Sequence, residues 1–161
     1  MSTEEMVKYF DARTSRHILR VQKNLAYILN ERDDFDYDEV FERISSHDKS
    51  KYSEKEREGY ILLTWYYKCK SVGIEYKYDS TKSDGAWEHH QQNNPHHPEF
   101  HDNIEDMTNV DIAEMVSDWW AMSEENDNSL KDWADSVCKF KYKFTKEQTK
   151  LIYELVELFE G

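Results

Sequence analysis

Residues 3–31, TEEMVKYFDARTSRHILRVQKNLAYILNE, decide the fold. Met6, Tyr9, Phe10, Arg13, His17, Val21, Leu25 and Ile28 recur at spacings of three and four, which a 3.6-residue period places on one face. The stretch reads as one long helix or as two in tandem. The whole chain has only four Gly and two Pro in 161 residues. So few turn formers predict helices joined by polar loops, not many short strands.

Working outward, Asp33, Asp34 and Asp36 mark a turn, with Asp36 or Asp38 able to cap a short helix over 37–48. Ser53 followed by Glu56 is a capping-box pattern opening a helix to about Ser71. Residues 73–83 are the least helical, and the alternation of Ile74, Tyr76 and Tyr78 fits a short strand or a loop. A helix over 84–92 stops before Asn93, Asn94 and Pro95, and a histidine-rich loop fills 95–108. Asn109 can cap a helix over 110–122. Another covers 128–139, with Leu130, Trp133, Ala134 and Val137 inward. Thr145 starts the last helix, with Glu147 and Gln148 in its first turn. With no repeat and no linker, the expectation is a single all-α domain over 1–161, a helical bundle of six to eight helices.

The aromatic fraction of 14% supplies large buried areas in a chain whose apolar content is only 38%. Cys69 and Cys138 form no spaced motif, which argues against a disulfide framework or a cysteine zinc site. The N-terminus lacks a signal-peptide pattern and no apolar run reaches membrane length, so a soluble cytoplasmic protein is expected. A formal net charge of −13, with no basic stripe, argues against an extended nucleic-acid partner. The charge itself fits simple solubility, offset by bound cations, or mimicry of DNA.

All seven histidines lie between positions 17 and 101. His17 is mid-helix beside Ile18 and Leu19, and His47 and Asp48 are adjacent at a helix end. His89, His90, His96, His97 and His101 crowd into one short region, and Asp118 lies beside Trp119 and Trp120. Singly, each has an ordinary structural reading. Neutral imidazoles are favoured transition-metal ligands, so the cluster is the stronger signal.

In order, the chain presents His, His-Asp, His doublets, then Asp. With the segments SHDKSK, AWEHHQQNNPHHPEF and DIAEMVSDWWAMS, this resembles the HD-domain superfamily of metal-dependent phosphohydrolases, and more closely a small bacterial and phage branch of it, over roughly residues 10–125. The resemblance implies an HD-like helical domain with metal ligation by His17, His47, Asp48 and Asp118. It adds one of His89 or His90 and one of His96 or His97, with His90 and His96 preferred. Asp48 would then bridge two cations. The glycine-rich signature of the cyclic-dinucleotide branch is missing, which argues against such substrates.

The implied cofactor is one or two divalent transition-metal ions (Mn, Fe, Co, Ni or Zn), which would activate water and neutralise phosphoryl oxygens. Asp48, Lys51 and Glu99 are the candidate catalytic residues. Lys51, Lys49 and Trp87 are candidates for holding substrate, and Glu88 or Glu99 for orienting ligands or carrying protons. The expected activity is hydrolysis of a small phosphate ester, plausibly a nucleotide. The alternatives are an HD-type di-iron oxygenase and a non-enzymatic acidic protein that occupies a basic DNA-binding groove.

Overall fold

The computed structural model describes residues 2–161 and is all-helical, with seven α-helices and no strand among the described residues. They are α1 (Glu4–Glu31), α2 (Tyr37–Ser46), α3 (Arg57–Ser71), α4 (Thr81–Asn93), α5 (Asn109–Asn126), α6 (Leu130–Ser136) and α7 (Lys146–Glu160). Residues 3–31 thus form one helix, and 73–79 are loop. The chain forms two compact units interleaved in sequence. Residues up to Arg16 and Asp48–Asn93 form the first, and His17–His47 with Asn94–Gly161 form the second.

The first unit packs the start of α1 with α3 and α4. Its core is Met6, Phe10, Tyr60, Ile61, Leu62 and Ala86, flanked by Trp65, Tyr76 and Tyr78. Burying such side chains contributes roughly 1.5–3 kcal/mol each before the entropic cost. Gly59 sets how closely α3 and α4 approach. A Cβ there would lie 2.4 Å from the Lys82 carbonyl oxygen and 2.5 Å from the Ala86 Cβ, so only glycine fits. Ser53 and Glu56 do not form the expected capping box, since Glu56 stands at the α3 N-cap without a side-chain cap bond. Its carboxylate turns inward to two histidines, because those charge-assisted bonds outweigh a solvated cap.

The second unit holds the larger core, built from Val21, Leu25 and Ile28 of α1, Val40 of α2, Ile112 and Val116 of α5, Leu130 of α6, and Ile152 and Leu155 of α7. Its helices start on chemically legible signals. Asp36 caps α2, Ser129 caps α6, and Thr145 with Gln148 forms a capping box at α7. At α5 the cap is Thr108, reciprocated by Asp111, so the helix begins one residue before the expected start. The helix expected over 128–139 ends sooner. Residues Val137–Lys141 widen into a π-helical turn, and Trp133, expected inward, is 46% exposed. No helix among the described residues is long and apolar enough to cross a membrane.

Candidate metal centre

Residues Val110–Ser117 of α5 are all buried, so this helix is enclosed on every side over two turns. Asp111 and Glu114 lie inside that stretch, and buried carboxylates demand partners. Arg43 on α2 supplies one, reaching Asp111 Oδ1 at 2.8 Å and Glu114 Oε1 at 3.0 Å. The other Glu114 oxygen accepts from His47 Nδ1 at 2.9 Å and lies 3.0 Å from His96 Nδ1. Burial alone would raise the Glu114 carboxyl. The charge of His96 and the hydrogen bonds from His47 and His96 overcome this and hold it well below the usual carboxylate range.

With their Nδ1 atoms engaged, the rings turn Nε2 toward a common point. His17 Nε2 is 3.0 Å from Asp118 Oδ1, His96 Nε2 is 3.3 Å from Asp118 Oδ2, and His47 Nε2 is 3.4 Å from His17 Nε2. His47, His96 and Asp118 each offer a ligand atom within 4.8 Å of the others. The three histidines are nearly inaccessible, while Asp118 is 16% exposed, which leaves the centre open on one side. The imidazoles of His47 and His96 and the Asp118 carboxylate, with His17 Nε2 beside them, can hold a divalent cation, and their chemistry fits the group expected from the sequence.

Local structure explains each placement. His17 continues the buried stripe of α1, between Thr14 and Val21. His47 is the C-cap of α2, its backbone N–H bonded to the Arg43 carbonyl. The loop carrying His96 is fixed by the His97 N–H to Asn94 carbonyl bond and by His101 Nε2 donating to the Pro95 carbonyl at 2.9 Å. Asp118 lies one helical turn beyond Glu114 on α5, so α5 supplies both the ligand and the residue behind the ligands.

The first unit contains a second group of expected site residues. Asp48 takes the left-handed conformation (φ 55°, ψ 14°), which Asp tolerates better than most residues. Its carboxylate receives Lys51 Nζ at 3.0 Å and lies 3.2 Å from His90 Nε2. Glu56, fully buried, accepts from both His89 Nδ1 and His90 Nδ1 at 2.7 Å. Burial would raise the Glu56 carboxyl, and the bonds from His90, Ser50 and His89 bring it below its ordinary value. Burial likewise opposes the His90 charge, and Asp48 and Glu56 reverse this, raising its pKa.

Of the remaining candidates, Trp87 stacks beside His90 with ring centroids 6.2 Å apart and is 42% exposed. His89 is less buried than His90 and lines an open cavity of about 540 Å³ between α3 and α4. His97 packs its ring on His96, with centroids 4.2 Å apart. Lys49 and Glu88 are exposed. Glu99 is exposed too, and its carboxylate accepts the Tyr142 hydroxyl.

Sequence reading missed Glu114, Arg43 and Asp111, and it misassigned Glu56. The available signal was charge within an apolar helical stretch, as in DIAEMVS, where a carboxylate must have a buried partner.

One family model, described as "Family of unknown function (DUF5662)", matches residues 6–158. No curated protein and no solved structure matches the chain.

Proposed function

The chain belongs to the DUF5662 family, and from its buried histidines and carboxylates we propose that it is a metal-dependent phosphohydrolase acting on a small phosphate ester such as a nucleotide. The observation that carries this reading is the approach of His17 and His96 Nε2 to the Asp118 carboxylate, with His47 Nε2 3.4 Å from His17 Nε2. Neutral imidazoles with one carboxylate suit Mn, Fe, Co, Ni or Zn better than Mg or Ca, which prefer all-oxygen sets. A dication held there would supply Lewis acidity for attack of water on phosphorus.

The chain's own residues supply the rest. Their burial keeps bulk water from the imidazoles and strengthens every electrostatic interaction at the centre. Asp118, the most accessible of the four, is the side from which substrate approaches. In the first unit, Asp48 and Lys51 form an ion pair at 3.0 Å. The acidic composition disfavours long polyanions and leaves small substrates.

The test is a panel of phosphate esters offered to the purified protein reconstituted with Mn²⁺, Co²⁺, Ni²⁺, Zn²⁺ or Fe²⁺. Turnover should appear in the wild type and vanish in His47→Ala and Asp118→Ala. Inactivity across the panel with metal demonstrably bound would overturn the reading. The same donor set suits iron, so a second reading, a di-iron oxygenase, is favoured if anaerobically loaded iron protein consumes O₂ instead.

A further inference from the structure

We infer that Glu114 is a positioning residue that sets the tautomer of two metal-binding imidazoles at once, so that His47 and His96 both present Nε2 lone pairs to the centre. The inference rests on the metal-site reading above but not on the phosphohydrolase reaction.

The argument is one of donors and acceptors. An ionised carboxylate only accepts. One oxygen of Glu114 faces the Nδ1 atoms of both His47 and His96, at 2.9 and 3.0 Å. His47 therefore carries hydrogen on Nδ1, and the inference gives His96, whose Nδ1 is 3.0 Å from the same oxygen, the same tautomer. With a cation bound, each ligating imidazole is neutral and has a single N–H, so both Nε2 atoms are then lone pairs. Those atoms point toward the Asp118 and His17 side of the centre. The second Glu114 oxygen is occupied by Arg43 Nη1 at 3.0 Å, and Arg43 is held in turn by Asp111 at 2.8 Å. The guanidinium compensates the buried charge and fixes which oxygen faces the histidines. The first unit repeats the device with Glu56, whose two oxygens each take one Nδ1, from His90 and His89.

The arrangement makes Glu114→Gln a sharp probe, although it changes one atom. If the amide oxygen faces the histidines, the amide NH₂ meets the Arg43 guanidinium, and two donors oppose each other. If the oxygen faces Arg43, the NH₂ faces both Nδ1 atoms and forces them to accept. Each ring then carries its hydrogen on Nε2, the atom the metal needs. The second orientation avoids the donor clash, so both tautomers invert. Removing Arg43 as well lifts the constraint, and the glutamine oxygen can turn back to the imidazoles.

The experiment uses the full chain loaded with diamagnetic Zn²⁺. Long-range ¹⁵N–¹H correlation spectra should show His47 and His96 with hydrogen on Nδ1 and zinc-shifted Nε2. Zn²⁺ affinity, read by competition with a chromophoric chelator, should fall by about 10- to 100-fold in Glu114→Gln. In the double variant Arg43→Met with Glu114→Gln, affinity should recover toward the wild type, which a purely structural role for Glu114 would not produce. Wild-type rings coordinated through Nδ1 overturn the inference whether or not any variant folds. So does a folded Glu114→Gln protein that binds Zn²⁺ as tightly as the wild type. Absence of phosphatase turnover leaves all these readouts intact, so the two failures are distinguishable.

Discussion

Replacing Arg43 with methionine removes the guanidinium shared by two carboxylates that are each only 3% exposed. Breaking a buried ion pair by deleting one partner costs about 3–5 kcal/mol, because the remaining charge stays buried. Two orphaned carboxylates would set the upper end, but neither is abandoned completely. Glu114 keeps the His47 and His96 contacts, and Asp111 keeps the Thr108 backbone N–H at 2.9 Å and His101 at 3.4 Å. The expected loss is therefore near the lower end, about 3 kcal/mol. For a chain of this size that corresponds to a fall in Tm of roughly 6–12 °C. Circular dichroism melts in excess chelator read the protein without metal linkage. Arg43→Lys should recover part of the loss, since it keeps the charge but not the fork that spans both carboxylates. A melting point for Arg43→Met within about 2 °C of wild type, the effect of about 1 kcal/mol or less, would refute the reasoning.

Three further outcomes follow from the same contacts. Gly59→Ala should destabilise by about 1–3 kcal/mol, since its Cβ meets the Lys82 backbone and Ala86; urea titration checks it, and an unchanged midpoint denies the close α3–α4 approach. Glu160 accepts from the Ser129 hydroxyl and the Leu130 and Lys131 N–H groups at the start of α6, and the Lys131 backbone bond is the main cause of its lowered carboxyl pKa. A lowered folded-state pKa gives stability that is present above the ordinary carboxylate range and lost as pH falls through the folded value. The Tm gap between wild type and Glu160→Gln should therefore be small but measurable at about pH 7 and narrow as pH falls below the ordinary carboxylate range. Finally, Zn²⁺ at about 100 times its Kd should stabilise the wild type by about 2.7 kcal/mol, seen as a rise in Tm that Asp118→Ala lacks.

Much of the fold was legible because helix signals are local. The apolar stripe of α1 and the Thr145–Gln148 cap need only neighbouring residues to be read. The errors lie where tertiary demand overrides local pattern. Ser53 and Glu56 match a capping box, yet the imidazoles of His89 and His90 bind the buried Glu56 carboxylate more strongly than a helix end does. Trp133 has the spacing of a core residue, but α6 gives way to a π-helical turn after seven residues, and the indole faces outward. The division into two interleaved units left no trace in sequence, because α1 runs through the boundary without a break.

The candidate centre shows the same division. His17, His47, His96 and Asp118 were identifiable by residue type and order, and these four gather in the second unit. Asp48, His90, His89 and Lys51 gather in the first, beside Trp87. The carboxylates behind the imidazoles, Glu114 and Glu56, were not identifiable as such. Nothing in a linear pattern says which glutamate a distant histidine will meet, and charge in a buried helix face is the one available hint.

The most direct test of the metal centre is elemental analysis of the protein after gel filtration, with His47→Ala and Asp118→Ala purified in parallel. The account predicts at least one transition-metal ion per wild-type chain and a marked loss in both variants. A wild-type chain that retains no metal, even after incubation with Mn²⁺, Fe²⁺, Co²⁺, Ni²⁺ and Zn²⁺, would contradict it.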